Sequence, residues 1–316
     1  MGYSNKYLTS IKWTTLYSTL SILSIFFVIT TFMVAVRPAY GHTFSQNENS
    51  LFLTRINQMH SQFQLVQSLL STNTTSGNTN ANDNNPKSAQ THVMYTLALL
   101  NQKDPVSNFT WNQEIAERNK RVANDLVRGL NDLTAFINRE ASSKSSSKIG
   151  LANESSSIQD KISNLGGLLD EVVSARVAKD VLNNSTNQAL VLANMGNEIF
   201  YSYGQALGFP YAKLANMVAT MKMNANNSKA PPMANKANIV NETQYENAKA
   251  YVKQAQEIVS KYLTASDSTT KNSSTQLNNI LSQLKETIDN KGSFSIVMHL
   301  IHMQLHPKLI ANYKIS

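Results

Sequence analysis

Apolar residues recur at intervals of three and four along most of the chain, a spacing that places them on one face of an α-helix. This spacing predicts helices over about residues 50–70, 88–102, 110–141, 156–182, 186–207, 242–264, 274–290 and 293–313. No stretch alternates apolar and polar residues as a half-buried β-strand would. The pattern therefore predicts an all-α protein of about seven to eight helices packed as antiparallel bundles.

Polar stretches interrupt the helical pattern at two places. Residues 71–86 (STNTTSGNTNANDNNP) carry almost no apolar side chain, and we expect a flexible loop there because little surface can be buried. Residues 142–147 form a Ser-rich break. The breaks favour two helical bundles, residues 45–141 and residues 150–316, with one continuous bundle as the alternative.

The first 41 residues have the order of an export signal. Lys6 and Lys12 precede an uncharged, mostly apolar run over 13–36, and the triplet Ala39-Tyr40-Gly41 follows. The run exceeds the ~20 residues that span a bilayer, so it could also remain as an anchor. Because basic residues stay inside, residues 42–316 are expected outside the cytoplasm, either secreted or anchored to the membrane and facing outward.

The composition of the chain excludes several classes of function. The chain has no cysteine, which excludes disulfides and zinc-thiolate sites. Its formal net charge of +8 comes from scattered residues, so no nucleic-acid partner is expected. No P-loop, dinucleotide fingerprint, nucleophile elbow or H-E-x-x-H motif occurs. We therefore expect a binding or structural role without catalysis, in contact with an envelope protein partner, and with the membrane if the N-terminal segment is not cleaved.

Asparagine-linked glycosylation is expected for an exported chain with this many Asn-x-Ser/Thr sequons. Chance in an Asn-rich sequence accounts for part of them. The candidate glycosylation residues are Asn73, Asn108, Asn153, Asn183, Asn184, Asn226, Asn241 and Asn272.

Histidines provide the alternative function, the binding of copper or another transition metal. On a regular α-helix, His299, His302 and His306 fall within about 60° of arc, and neutral imidazole is a common copper ligand. Cleavage after Gly41 would place His42 at the N-terminus, where the amine and the ring can chelate copper together. The alternative is that these histidines fill or decorate a helix, because no carboxylate lies between His299 and His306 to complete a site.

Four segments carry a resemblance to other proteins: AYGHTFSQNENSLFL, EIAERNKRVANDL, LNNSTNQAL and IDNKGSFSIVMHLIHMQLHP. They resemble an uncharacterised family of exported, all-helical proteins from ammonia-oxidising archaea. The resemblance covers most of the chain after the N-terminal segment. It implies an archaeal cell-envelope setting, and it supplies no activity and no catalytic residues.

Overall fold

The structure, a computed structural model, describes residues 47–75, 85–104, 108–142, 151–220, 236–264 and 268–315. Within these ranges the regular secondary structure is helical, apart from an isolated antiparallel bridge between Lys103 and Thr110. The predicted all-α class is confirmed.

The helices follow the apolar periodicity closely. A π-helix, His299–Leu305, lies between the last two α-helices. In chain order the α-helices are α1 (Glu48–Thr75), α2 (Asn85–Asn101), α3 (Trp111–Ser142), α4 (Leu151–Arg176), α5 (Lys179–Leu182), α6 (Ser185–Ala206), α7 (Tyr211–Thr220), α8 (Glu242–Tyr262), α9 (Ser268–Asp289), α10 (Phe294–Met298) and α11 (His306–Tyr313).

Capping side chains fix where several helices begin. Before α3, the backbone N–H of Thr110 donates to Gln113 Oε1 (2.8 Å), and the N–H of Gln113 donates to Thr110 Oγ1 (3.1 Å). This reciprocal pair of hydrogen bonds is a capping box, in which two side chains satisfy free backbone N–H groups at the start of a helix. At α1 the side chain of Asn47 is the cap, and its Oδ1 accepts the N–H of Ser50 at 2.7 Å.

Helices α1 and α6 occupy the centre of the molecule. Helix α1 packs against α2, α4, α6 and α8, and α6 packs most extensively against α8. One hydrophobic cluster extends from Leu51 to Ile315, and all of the described residues belong to one compact unit. Helices from both predicted ranges, 45–141 and 150–316, therefore contribute to a shared core.

Both ends of the polar stretch over 71–86, for which a flexible loop is predicted, are helical, and residues 76–84 lie outside the described part. Helix α1 continues to Thr75, and α2 begins at Asn85. Pro86 is buried in the first turn of α2, where its missing N–H costs no hydrogen bond. Helix α7 is additional to the helices predicted above and lies between those predicted over 186–207 and 242–264.

The helix predicted over 293–313 is divided by a π-helix, His299–Leu305, which precedes Pro307. The N–H of His306 donates to the carbonyl of Ile301, five residues earlier, as in a π-helix. Pro307 has no N–H and its ring crowds the preceding turn, and the wider π-helical turns adapt the backbone to it. Helix α11 then continues to Tyr313.

In the described ranges no helix combines the length and the apolar character that crossing a bilayer requires. The apolar run over 13–36 lies outside these ranges.

Candidate functional site

The C-terminal histidines do not share one environment. His302 and His306 are fully buried, whereas His299 is half-buried. The π-helix explains the difference, because its turns do not keep the 100° spacing on which the common stripe was based. The structure therefore brings together two of the three predicted metal ligands.

His302 and His306 are packed as aromatic groups. Their ring centroids lie 5.0 Å apart at an interplanar angle of 83°, and the His302 ring stands edge-on to Phe200 at 4.9 Å. His306 Nε2 lies 3.2 Å from the carbonyl oxygen of Ala193. Gly196 allows this approach, since a Cβ at that position would lie 3.2 Å from His306 Nε2.

A three-ligand metal centre is not present among the residues that the structure describes. Within them, no group of three or more His, Asp or Glu side chains is arranged to hold an ion. His42 lies outside the described residues. The metal site formed by His299, His302, His306 and His42 stays a prediction.

Five of the eight sequon asparagines have described side chains, and all five are exposed: Asn108, Asn183, Asn184, Asn241 and Asn272. The side chains of Asn73 and Asn153 and the whole of Asn226 lie outside the described part.

Two of these asparagines also cap helices. Asn184 Oδ1 accepts the N–H of Asn187 at the start of α6 (3.0 Å), and Asn241 Oδ1 accepts the N–H of Gln244 at the start of α8 (3.2 Å). Asn108 has φ +63°, a conformation that asparagine adopts more readily than most residues. Local structure thus gives a second reason for asparagine at three of the sequons.

A buried hydrogen-bond network joins helices α1, α2 and α8. At its centre, Gln62 Nε2 donates to Asn247 Oδ1 (3.0 Å) and lies 3.3 Å from the hydroxyl oxygen of Tyr251. Gln62 Oε1 is therefore the acceptor for His92 Nδ1, 2.8 Å away, and His92 carries its proton on Nδ1. We name Gln62, His92, Asn247 and Tyr251 the Gln62 network.

Burial controls the protonation of the Gln62 network. His92 is fully buried, and desolvation lowers its pKa to about 4. No group in the described part of the chain hydrogen-bonds its Nε2. Burial likewise raises the pKa of Tyr251 well above its ordinary value, with a further contribution from Tyr95. The network is therefore neutral near pH 7, and His92 Nε2 keeps a basic lone pair inside the core.

A carboxylate and a guanidinium extend the polar region toward the surface. Arg55 Nη1 donates to Gln58 Oε1 (2.6 Å), and the side chain of Gln58 also interacts with the carboxylate of Glu198 on α6. Burial raises the pKa of Glu198, and the charge of Arg55 and the contact with Gln58 oppose this rise.

A second polar cluster lies where α1, α3 and α4 meet. The side chain of Arg176, only 4% exposed, pairs with Glu48 and with Glu114, the latter at 3.2 Å. Its guanidinium also lies 4.1 Å from the centroid of the Phe52 ring. These contacts tie the start of α1 to the end of α4 through charge and cation–π attraction.

The sequence gives a partial signal for the Gln62 network. Helix α1 has 28 residues, yet its ionisable side chains are only Glu48, Arg55 and His60. So few charges are typical of a helix that is surrounded by others, and the glutamines of such a helix must find buried partners. The identity of those partners on α2 and α8 is not encoded locally.

Comparison with protein-family models, with curated proteins and with solved structures finds no match to this chain. Fold and site therefore define the class of protein by themselves. It is an all-α bundle with neutral and charged polar networks built into its core.

Proposed function

We propose that the chain is an exported cell-envelope protein whose helical bundle lies outside the cytoplasm and binds a partner or supports surface structure. The observation that carries the proposal is the order of the first 41 residues, in which a basic start precedes an apolar run and a small-residue triplet. The resemblance to exported archaeal helical proteins supports the same setting. Cleavage after Gly41 would release the bundle, and retention of the apolar run would anchor it.

Exposure of the sequon asparagines supports glycosylation as part of this proposal. A glycan needs an acceptor side chain in solvent, and each of the five described acceptors meets that requirement. A buried asparagine at any of these positions would have argued against it.

The chemistry of the core favours a binding or structural role over catalysis. The side chain of Gln62 and the Nδ1 atom of His92 are held by fixed amide and hydroxyl partners, and both residues are fully buried. A general base must come within about 3 Å of a substrate proton, which such burial prevents without opening of the bundle. Hydrogen-bonded polar groups in a core instead specify how helices align.

Copper binding is the second candidate, and the proximity of His302 and His306 is the observation that favours it. Replacing His299, His302 and His306 together with glutamine tests it through the metal content of the purified chain. Loss of a stoichiometric ion in the triple variant would establish the metal function. Unchanged metal content would leave aromatic packing as the role of His302 and His306. Binding, where present, should weaken below about pH 6.5, because a protonated imidazole has no lone pair for the metal.

A reporter fusion tests the leading proposal. A reporter that is active only in the cytoplasm, joined after residue 60, should be inactive, while the same reporter joined to a chain that lacks residues 1–41 should be active. An active reporter on the full N-terminus would refute export. N-terminal sequencing of the purified chain then distinguishes cleavage from anchoring, and a chain that begins at His42 would also make the terminal copper chelate available.

A further inference from the structure

Two overlapping sequons, Asn183-Asn184-Ser185 and Asn184-Ser185-Thr186, lie at the junction between α5 and α6. Both asparagines are exposed, so exposure alone does not choose between them. Two neighbouring side chains leave little room for two glycans. The local geometry, in contrast, distinguishes the two residues.

Asn184 is the N-cap of α6 and has an extended backbone, with φ −72° and ψ 117°. Its Oδ1 accepts the N–H of Asn187 at 3.0 Å. Because the oxygen is held by the helix, the amide nitrogen Nδ2 is the end of the side chain that remains for another bond. N-linked glycosylation uses that nitrogen, so a glycan at Asn184 preserves the cap.

Asn183 lies in a different conformation. It follows the last turn of α5, with φ −89° and ψ 0°, and its backbone N–H donates to the carbonyl of Lys179. Asn272, a sequon residue inside α9, differs again. In a helix, residues two apart point about 200° away from each other, so the hydroxyl of Ser274 faces away from the Asn272 amide.

We propose that Asn184 is the glycan acceptor of the overlapping pair, linked through Nδ2 while Oδ1 continues to cap α6, and that Asn183 is not modified. Asn241, which caps α8 with the same side-chain oxygen, is the corresponding acceptor at that helix. This inference rests on the proposed export, because the transferring enzyme acts outside the cytoplasm. The co-substrate is a sugar carried as a phosphate ester on a lipid.

The transfer moves the sugar from the carrier phosphate to the asparagine side chain. The bond between sugar C1 and the carrier phosphate oxygen breaks, and the phosphate leaves with the electron pair. Sugar C1 bonds to Asn184 Nδ2, which gives one proton to a base of the transferase. The Oδ1 acceptor takes no part in the new bond.

The folded chain also suggests when the transfer takes place. Thr186 Oγ1, the hydroxyl of the Asn184 sequon, donates to the carbonyl oxygen of Tyr313 at 3.2 Å. Tyr313 belongs to α11, 127 residues later in the chain. Once α11 has docked, this hydroxyl is engaged, so transfer to Asn184 precedes docking of the C-terminal helix.

Mass spectrometry of the full chain, purified from the cells that export it, tests the assignment. The peptide that contains residues 183–186 should carry one glycan, and both Asn184→Asp and Thr186→Val should remove it. Asn183→Asp is the matched control and should leave the glycan in place. Asn184→Asp keeps an oxygen acceptor for the cap, so unglycosylated N184D should unfold at the temperature of the unglycosylated wild type, whereas Asn184→Ala should unfold at a lower temperature.

Each contrary result has a distinct meaning. A glycan that persists in N184D and disappears in N183D would overturn the assignment in favour of Asn183. An exported chain that carries no glycan on this peptide would overturn the assignment and leave export intact. A chain found in the cytoplasm without any glycan would overturn both proposals. An N184A chain as stable as the wild type would refute the capping geometry on which the choice of Asn184 depends.

Discussion

Acid should destabilise the bundle through His92, because its imidazole is neutral in the core and has no partner at Nε2 to share an added proton. The pKa of His92 is about 4 in the folded chain, against an ordinary value of 6.5 that applies when the chain is unfolded. Between these values the unfolded chain binds more protons than the folded chain. The contribution of His92 to stability is therefore complete above pH 6.5 and is lost as pH falls toward 4.

The size of the effect follows from the shift in pKa. One pKa unit corresponds to about 1.4 kcal/mol, so His92 should lower the free energy of unfolding by about 2 kcal/mol at pH 5 relative to pH 7. The full loss below pH 4 should be about 3 kcal/mol. Glu198 acts in the opposite direction, because burial raises its pKa and protonation removes the cost of a buried charge. The pH profile of the wild type alone is therefore a sum of opposing contributions.

A His92→Asn variant isolates the contribution of His92. The asparagine amide can still donate to Gln62 Oε1, but it does not titrate. Urea unfolding of the wild type and of the variant should be measured from pH 4 to pH 7. The difference in unfolding free energy between the two chains should shrink by about 2 kcal/mol between pH 7 and pH 5. Parallel pH profiles would refute a buried, neutral His92.

Two further substitutions test the packing, each by chemical unfolding. Arg176→Met should lower the free energy of unfolding by about 3–5 kcal/mol, because it removes the charge that balances the buried carboxylate of Glu114. The control Arg121→Met, which removes one partner of an exposed ion pair, should lower it by less than about 1 kcal/mol. Equal costs would contradict the buried pairing. Gly196→Ala should destabilise the folded chain by about 1–3 kcal/mol, because the added Cβ would press against His306 of the terminal helix. Gly167→Ala has open space around its Cβ position and should stabilise the folded chain by up to about 1 kcal/mol. A stabilising Gly196→Ala would contradict the close approach.

Periodicity predicts the helices well because each helix must bury one stripe. In α3, the apolar residues Trp111, Ile115, Leu126 and Leu133 recur at helical spacing and are all buried, and the capping box at Thr110 sets the start of the helix. Such signals are local, so they can be found within one segment of sequence. The end of a helix is harder to predict where polar residues continue it, as residues 71–75 do in α1.

The Gln62 network could not be predicted in this way. Its bond between Gln62 and Asn247 joins residues 185 positions apart, and both residue types are common on solvated helix faces. Their burial follows from the central position of α1, which only the packing of α2, α4, α6 and α8 around it establishes. The separation of His299 from His302 and His306 could not be predicted for another reason, since the π-helix replaces the regular spacing on which the common stripe was based.

Export is tested most directly by labelling single cysteines in intact cells. The native chain contains no cysteine, so Ser174→Cys, at an exposed position of α4, gives one unique thiol. A membrane-impermeant maleimide should label this thiol without lysis, on the cells or in the medium. A cytoplasmic protein with an exposed cysteine, probed in the same cells, should be labelled only after lysis. Labelling of the Ser174→Cys chain only after lysis would place the bundle inside the cell and contradict its role as an envelope protein.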